Sequence, residues 1–296
     1  MTPDTRSRGR FAPSPTGDLH LGNLRTALLA WASARHGGGS FIVRMEDLDR
    51  VTSGELHEHR QLADLASIGI DWDGEVVRQS DRFDLHRDAI ATLRRQGWLY
   101  ECFCTRREIR EAAQAPHGPG EGVYPGTCRE LSTAATADLR DSGRRPALRL
   151  HADGAVVYID DLIAGRYSGI ADDVVVQRND GVPAYNLAVV VDDAEQGVNE
   201  VIRGDDLLPV TPPQVVLHQR LGLEVPTYGH VPLVLAPDGS RLAKRHGAVT
   251  LADLARRSIT PMQVRSMLID SLGLGDEVWD LRRIRRTPWQ LRADQL

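Results

Sequence analysis

Lys244, in the stretch RLAKRHG (Arg241 to Gly247), is the one lysine among the 36 basic residues of this 296-residue chain. Lysine is a compact ammonium on a flexible stem, and arginine is a rigid planar fork, so a site shaped for one fits the other poorly. A lone lysine in a chain that otherwise uses arginine therefore marks position 244 for a compact point charge, with a chance survivor of an arginine-biased composition as the plainer reading. A stretch suited to binding phosphate lies near the start, PSPTGDLHLGN (Pro13 to Asn23). It falls between a predicted strand and a predicted helix, where free backbone N–H groups and the helix dipole favour an anion. His20 sits in the first turn as a hydrogen-bond donor. Gly17 and Gly22 let a ligand approach the backbone. Taken alone, His20 reads more readily as a helix cap.

The elements around these stretches follow from periodicity. GRFAPSPTG begins as a strand, and LGNLRTALLAWASARHGGG places Leu21, Leu24, Leu28 and Trp31 at helical spacing before three glycines stop it. FIVRMEDLD returns as an apolar strand, so the opening is a βαβ unit and implies a parallel sheet. Helices are predicted near Leu56 to Ile68, Phe83 to Gln96 and over PPQVVLHQRLGL, and a strand and loop over HVPLVLAPDGSRLAKRHG. ALRLHADGAVVYIDD and DDVVVQRNDG alternate like antiparallel strands joined by Asp-Gly and Asn-Asp-Gly turns. NLAVVVDDAEQGVNEVIRGDDLL resumes a buried-strand pattern, and the chain after Thr250 is predicted helical and basic.

Cys102, Cys104 and Cys128 are the chain's three cysteines. An odd, clustered set argues against a disulfide framework and for tetrahedral zinc, with buried reduced thiols as the plainer reading. A fourth ligand is needed, and by general zinc chemistry His117 is one candidate. The net charge of −5 excludes a uniformly basic nucleic-acid-binding surface. From Arg241 onward, however, basic residues outnumber acidic ones, most densely in RRIRR (Arg282 to Arg286). No stretch resembles a signal peptide or a membrane span, which predicts a cytoplasmic protein.

RFAPSPTGDLHLGN resembles the first signature of the class I aminoacyl-tRNA synthetases of the glutamyl and glutaminyl group, and RLAKRHG resembles their mobile lysine loop. Asn23, Arg241 and Ala243 depart from the common forms, which carry His, Lys and Ser there. The resemblance implies an α/β fold: a Rossmann-type parallel-sheet catalytic domain in two halves (1–100 and 186–250), a zinc-containing α+β insertion that binds the acceptor (101–185), and a short basic helical tail contacting a tRNA stem (251–296). It implies that His20 and Lys244 are catalytic and that they bind ATP together with Gly22 and Asn23, within signature loops Pro13 to Asn23 and Arg241 to Arg245. FIVRMEDLD, GVPAYNLAVVVDD and VIRGDDLL resemble the segments that line the amino-acid pocket. They imply a glutamate site of Arg10, Phe11, Ala12, Pro13, Ser14, Glu46, Tyr185 and Arg203. Two arginines on one pocket suit a dicarboxylate. The Cys-x-Cys…Tyr-x-x-x-Cys pattern of one branch implies one Zn2+ held by Cys102, Cys104, Tyr124 and Cys128.

Only about fifty residues follow Lys244, fewer than the ~100–150 of an ordinary anticodon-reading domain. The chain thus resembles the stand-alone catalytic-domain branch. That branch implies activation of L-glutamate by ATP, accompanied by Mg2+, and transfer to queuosine in the anticodon loop of tRNA(Asp). It also implies a monomer with no membrane partner. A minimal synthetase charging a tRNA 3′ end, a ligase with a small-molecule acceptor, and a non-catalytic glutamate or adenylate binder remain the alternatives.

Overall fold

The computed structural model describes residues 6–114, 123–240, 242, 249–274 and 280–291. The opening βαβ unit consists of β1 (Arg8–Phe11), α1 (Leu21–His36) and β2 (Ser40–Met45), with Gly9 of β1 paired in parallel with Phe41 of β2. The return from α1 depends on Gly39, where a Cβ would lie 1.9 Å from the carbonyl oxygen of Ser7. Only glycine tolerates that approach. Helix α2 (Glu55–Ser67) leads to the short strand β3 (Val77–Arg78), which extends the sheet beyond β2.

After α3 (Phe83–Arg95) come β4 (Leu99–Cys102), α4 (Arg106–Gln114) and α5 (Thr133–Asp141), and then four strands: β5 (Ala147–Leu150), β6 (Val156–Asp161), β7 (Gly165–Ile170) and β8 (Val175–Gln177). These form the antiparallel sets β4-β5-β8 and β6-β7. One expected hairpin is absent. Asp153 and Gly154 do form a left-handed turn, with φ of 57° and 61°, but the strands it joins pair elsewhere, β5 with β4 and β8, and β6 with β7. Strand β7, GRYSGI, has too few apolar residues to announce itself by alternation.

NLAVVVDD is helical, not a strand: it belongs to α6 (Tyr185–Glu195). Leu187 through Asp193 are all buried, so the helix has no polar stripe to reveal its period, and an apolar run of that kind reads equally as a strand. The chain continues through β9 (Glu200–Gly204), α7 (Thr211–Leu221), β10 (Thr227–Val231), β11 (Val234–Leu235), α8 (Leu251–Ala255) and α9 (Pro261–Leu272). The C-terminal segment is not wholly helical, because β12 (Trp289–Gln290) pairs in parallel with β11.

The main sheet runs β10-β9-β1-β2-β3 with every pair parallel. Successive residues of its strands point to opposite faces. Phe41, Val43 and Ile202 pack into one core with Leu24, Leu28 and Leu268 of α1 and α9. Ile42 and Val201 pack into a second core with Ile90, Leu187, Val190 and Val216 of α3, α6 and α7. Helices therefore cover both faces, and ligands are left the edge where the strands end. Among the described residues, no helix is long and apolar enough to cross a membrane.

Candidate active site

The strand order reverses between β1 and β9, and in an open parallel sheet the crevice outside the carboxyl ends at that point receives ligands. A cleft of about 560 Å³ opens there. Arg10, Phe11, Ala12, Pro13 and Ser14 line it from the end of β1 and the loop beyond. His20, Gly22 and Asn23 line it from the start of α1. Glu46, Tyr185 and Arg203 close it from β2, α6 and β9. Lys244, Arg241, Ala243 and Arg245 lie outside the described residues, as does His117. The flanks of the lysine stretch are described: Leu242 lines the cleft, the Val249 carbonyl accepts the N–H of Leu21, and Thr250 bridges His20.

His20 is both the helix cap and a wall of the cleft. Its Nδ1 accepts the backbone N–H of Asn23 at 3.2 Å, and the Asn23 side-chain oxygen accepts the backbone N–H of His20 at 3.2 Å. This reciprocal capping box satisfies two donors at the helix start. It also selects a tautomer, since an accepting Nδ1 leaves the ring proton of a neutral imidazole on Nε2 as a donor. The imidazole lies across Gly22, where a Cβ would stand 2.9 Å from its Cε1. The Asn23 side chain, a departure from the family signature, thus fixes the His20 backbone, while the ring accepts from the backbone N–H of residue 23. Gln61 steadies the preceding loop by donating its side-chain amide to the carbonyls of Ser14 and Gly17, at 3.1 and 2.7 Å.

At one end of the cleft two arginines share an acid that sequence reasoning missed. Arg10 Nε donates to both carboxylate oxygens of Asp193, at 3.3 and 3.4 Å, and its Nη1 donates to the Ile202 carbonyl. Arg44 is fully buried and meets Asp193 at 2.8 Å and Glu46 at 3.6 Å. Burial works against the Arg44 cation, but Asp193, Glu46 and Asp192 more than offset it and hold its pKa above the ordinary value. Burial likewise opposes ionised Asp193, and Arg44 and Arg10 still hold its pKa below the ordinary value. Glu46 behaves differently: burial raises it to about 7 despite the two arginines. The available signal was VVVDD, because two acids closing a buried apolar run require cations.

Arg203 occupies the other wall, and its partners are neutral or amide groups. Its Nε donates to His230 Nε2 at 3.1 Å, Nη1 to Gln214 Oε1 at 2.8 Å, and Nη2 to Thr211 Oγ1 at 2.7 Å. His230 Nδ1 in turn faces Asp161 at 2.5 Å, and Asp161 also accepts three backbone N–H groups. Burial lowers the His230 pKa, against the pull of Asp161, and a neutral ring with its proton on Nδ1 leaves Nε2 to accept from Arg203. Among the described residues the Arg203 bonds use three of the five guanidinium donors, leaving one on each terminal nitrogen for a ligand such as a carboxylate. Tyr185, at the first turn of α6, lies between this end and Glu46. Burial and then Glu46 raise its pKa, so the phenol keeps its proton.

The cysteines form a separate centre beside the β4-β5-β8 sheet. The ligand atoms of Cys102, Cys104 and Cys128 lie within 4.8 Å of one another, with Cys104 and Cys128 sulfurs 3.5 Å apart. The Tyr124 hydroxyl is 3.3 Å from the Cys102 sulfur and 3.8 Å from the Cys104 sulfur. Zinc–sulfur bonds of about 2.3 Å in a tetrahedron imply sulfur separations near ~3.8 Å, so the donor set fits a metal. The Tyr124 ring stacks under Arg149, whose Cζ is 3.7 Å from its centroid, and the Tyr124 N–H donates to Asp172. These contacts anchor the centre to β5 and to the turn before β8.

The model of class I tRNA synthetases (E and Q), catalytic domain, matches residues 7–274. A glutamyl-Q tRNA(Asp) synthetase of Nocardia farcinica is 58% identical over 303 residues, covering 100% of this chain and 96% of the relative. A glutamate–tRNA ligase of Nitratidesulfovibrio vulgaris is 41% identical, over 88% of this chain and 56% of the relative. The crystal structure of a glutamate tRNA ligase from Elizabethkingia meningosepticum, in complex with its amino acid, superposes with a TM-score of 0.82 at 26% identity, covering 98% of this chain and 68% of that one. With the cleft at the strand reversal and the His20 signature at its mouth, the chain belongs to the catalytic-domain family of class I tRNA synthetases of the E and Q group, and is a synthetase-like ligase.

Proposed function

We propose that the chain activates L-glutamate with ATP and transfers the glutamyl group to queuosine in the anticodon loop of tRNA(Asp). The observation that carries the substrate is Arg203, a buried cation that lines the cleft and is held, among the described residues, by neutral partners that use three of its five donors. It binds the side-chain carboxylate of glutamate. Glu46 accepts the α-ammonium, Tyr185 packs between the two, and Arg10 supports the same end through Asp193. His20 Nε2–H and the N–H groups of α1 receive the phosphates, and Lys244 steadies the triphosphate with its Mg2+. An α-carboxylate oxygen then attacks the α-phosphorus, and the bond to the β-phosphate breaks to release pyrophosphate. Position and charge supply the rate. The near-complete mutual coverage with the glutamyl-Q tRNA(Asp) synthetase relatives supports queuosine as the acceptor.

Incubation with ATP, labelled glutamate and tRNA tests this reading. Label should map to the anticodon loop, survive removal of the 3′-terminal adenosine, require queuosine, and be lost with rising salt as phosphate contacts weaken. Label on the 3′ end would instead make the chain a glutamate–tRNA ligase. Cys102, Cys104, Cys128 and Tyr124 are proposed to hold one zinc, which when bound cross-links β4 to the chain around residues 124–128. Metal analysis should find about one zinc per chain, lost on Tyr124→Phe. Retention by that variant together with loss on His117→Ala would move the fourth ligand to His117.

A further inference from the structure

A second cavity, of about 260 Å³, abuts the active-site cleft and shares Ser14, Thr16, Glu46 and Tyr185 with it. Its remaining wall includes Asp49, Ser53, Gln79 and Arg178, none of which the activation of glutamate uses. Two polar atoms on that wall are buried without a hydrogen-bond partner among the described residues. Gln79 is fully buried, spends its amide N–H on Asp192 at 2.9 Å, and leaves Oε1 unpaired. The Ser53 hydroxyl is buried and likewise unpaired. Such groups cost stability unless something meets them. Asp49 is exposed, accepts the N–H of Val51 at 3.2 Å, and has no ion pair among the described residues. The cavity thus offers one carboxylate, one buried acceptor and one hydroxyl, directly beside the carboxylate that takes the glutamate ammonium.

We infer that this cavity seats the side chain of the acceptor base, with Asp49 as a specificity-determining residue. The inference rests on the reading that the acceptor is queuosine. That base carries a secondary amine, protonated at neutral pH, bearing a cyclopentene diol. Asp49 pairs with the ammonium, and Gln79 Oε1 and Ser53 Oγ hydrogen-bond the diol. The shared wall puts the diol next to the glutamyl carbonyl. A diol oxygen then forms the ester bond to the carbonyl carbon, the bond from that carbon to the adenylate phosphate breaks, and AMP leaves with the electron pair and takes the hydroxyl proton. Arg178, ion-paired with Asp180 at 2.6 Å, supplies a cation for the phosphates flanking the base.

The test is transfer from glutamyl-adenylate to queuosine-containing tRNA, normalised to glutamate-dependent pyrophosphate exchange on the same preparation, since exchange needs no acceptor. Asp49→Asn should lower normalised transfer tenfold or more, chiefly through a higher KM for the tRNA. Ser53→Leu, which fills the cavity from a loop, should lower it similarly. Normalised transfer within twofold of the unaltered chain for both variants would overturn the inference. If instead the unaltered chain exchanges pyrophosphate but labels tRNA equally with and without queuosine, the proposed function falls, independently of either variant.

Discussion

Arg10 and Arg203 look alike in the sequence, each an arginine in a short strand, and the structure surrounds them in opposite ways. Arg10 belongs to a buried lattice in which Asp193 answers two guanidiniums. Arg203 is held by a histidine, an amide and a hydroxyl. A cation already paired with a carboxylate gains little from a second one, whereas a cation braced by neutral groups retains its field for a ligand. Breaking a buried pair exposes an uncompensated charge to a medium that solvates it poorly. The first end of the cleft is therefore built for rigidity, and the second for binding a carboxylate.

The largest effect should come from attacking the rigid end. Asp193→Ala leaves Arg10 without its carboxylate and takes the nearest one from Arg44, and should cost about 3–5 kcal/mol of stability in urea unfolding. Arg203→Met should instead leave the fold closer to normal while raising KM for glutamate on the order of a hundredfold, about 2.7 kcal/mol. If Arg203→Met proves the more destabilising of the two, the contrast is wrong. Lys244→Arg keeps the charge but not its shape, and should lower pyrophosphate exchange tenfold or more, about 1.4 kcal/mol. Near-normal exchange would return that lone lysine to chance. The smallest effect concerns Glu46, whose pKa of about 7 lies above its ordinary 4.5. Its ionised form binds the substrate ammonium, so KM for glutamate should rise up to about tenfold as pH falls from 8 to 6, and Glu46→Gln should flatten the profile. In stability the same shift has the opposite sense. The folded chain holds the extra proton between pH 4.5 and about 7, so this group's contribution is full below that window and is lost as pH rises through it.

What the sequence made legible was local. Leu21, Leu24 and Leu28 announce α1 because its bulky apolar residues recur at helical spacing among small ones and three glycines stop it, although the helix is buried on most sides. The same logic misreads NLAVVVDD, because a helix buried all round carries no period. His20 and Asn23 were visible as a signature and a departure from it, but only geometry shows that the Asn23 side chain caps the His20 backbone. The partners of the arginines were hidden for a different reason. Asp193 lies 183 residues from Arg10, and His230 lies 27 from Arg203. Charge pairing across such separations leaves no spacing to read. The cysteines were legible because Cys102 and Cys104 share one turn and Tyr124 lies close to Cys128.

The pairing of β11 with β12 bears on the order in which the protein is made. The N–H groups of Trp289 and Leu291 donate to the carbonyls of Leu233 and Leu235, and the Gln290 amide donates to Pro237. Leu233 and Val234 are walls of the candidate active-site cleft. The first wall of that cleft is laid by residues 8–14 and the last brace comes from residues 289–291. At roughly 5–20 residues per second of translation, the nascent first strand waits on the order of tens of seconds for β9 and β12 to emerge. During that interval β1 can pair only with β2, and its other edge stays open to any passing strand. A ribosome that stalls before Trp289 would therefore release a chain with a sheet and helices but an unbraced wall at the site where ATP is expected to bind.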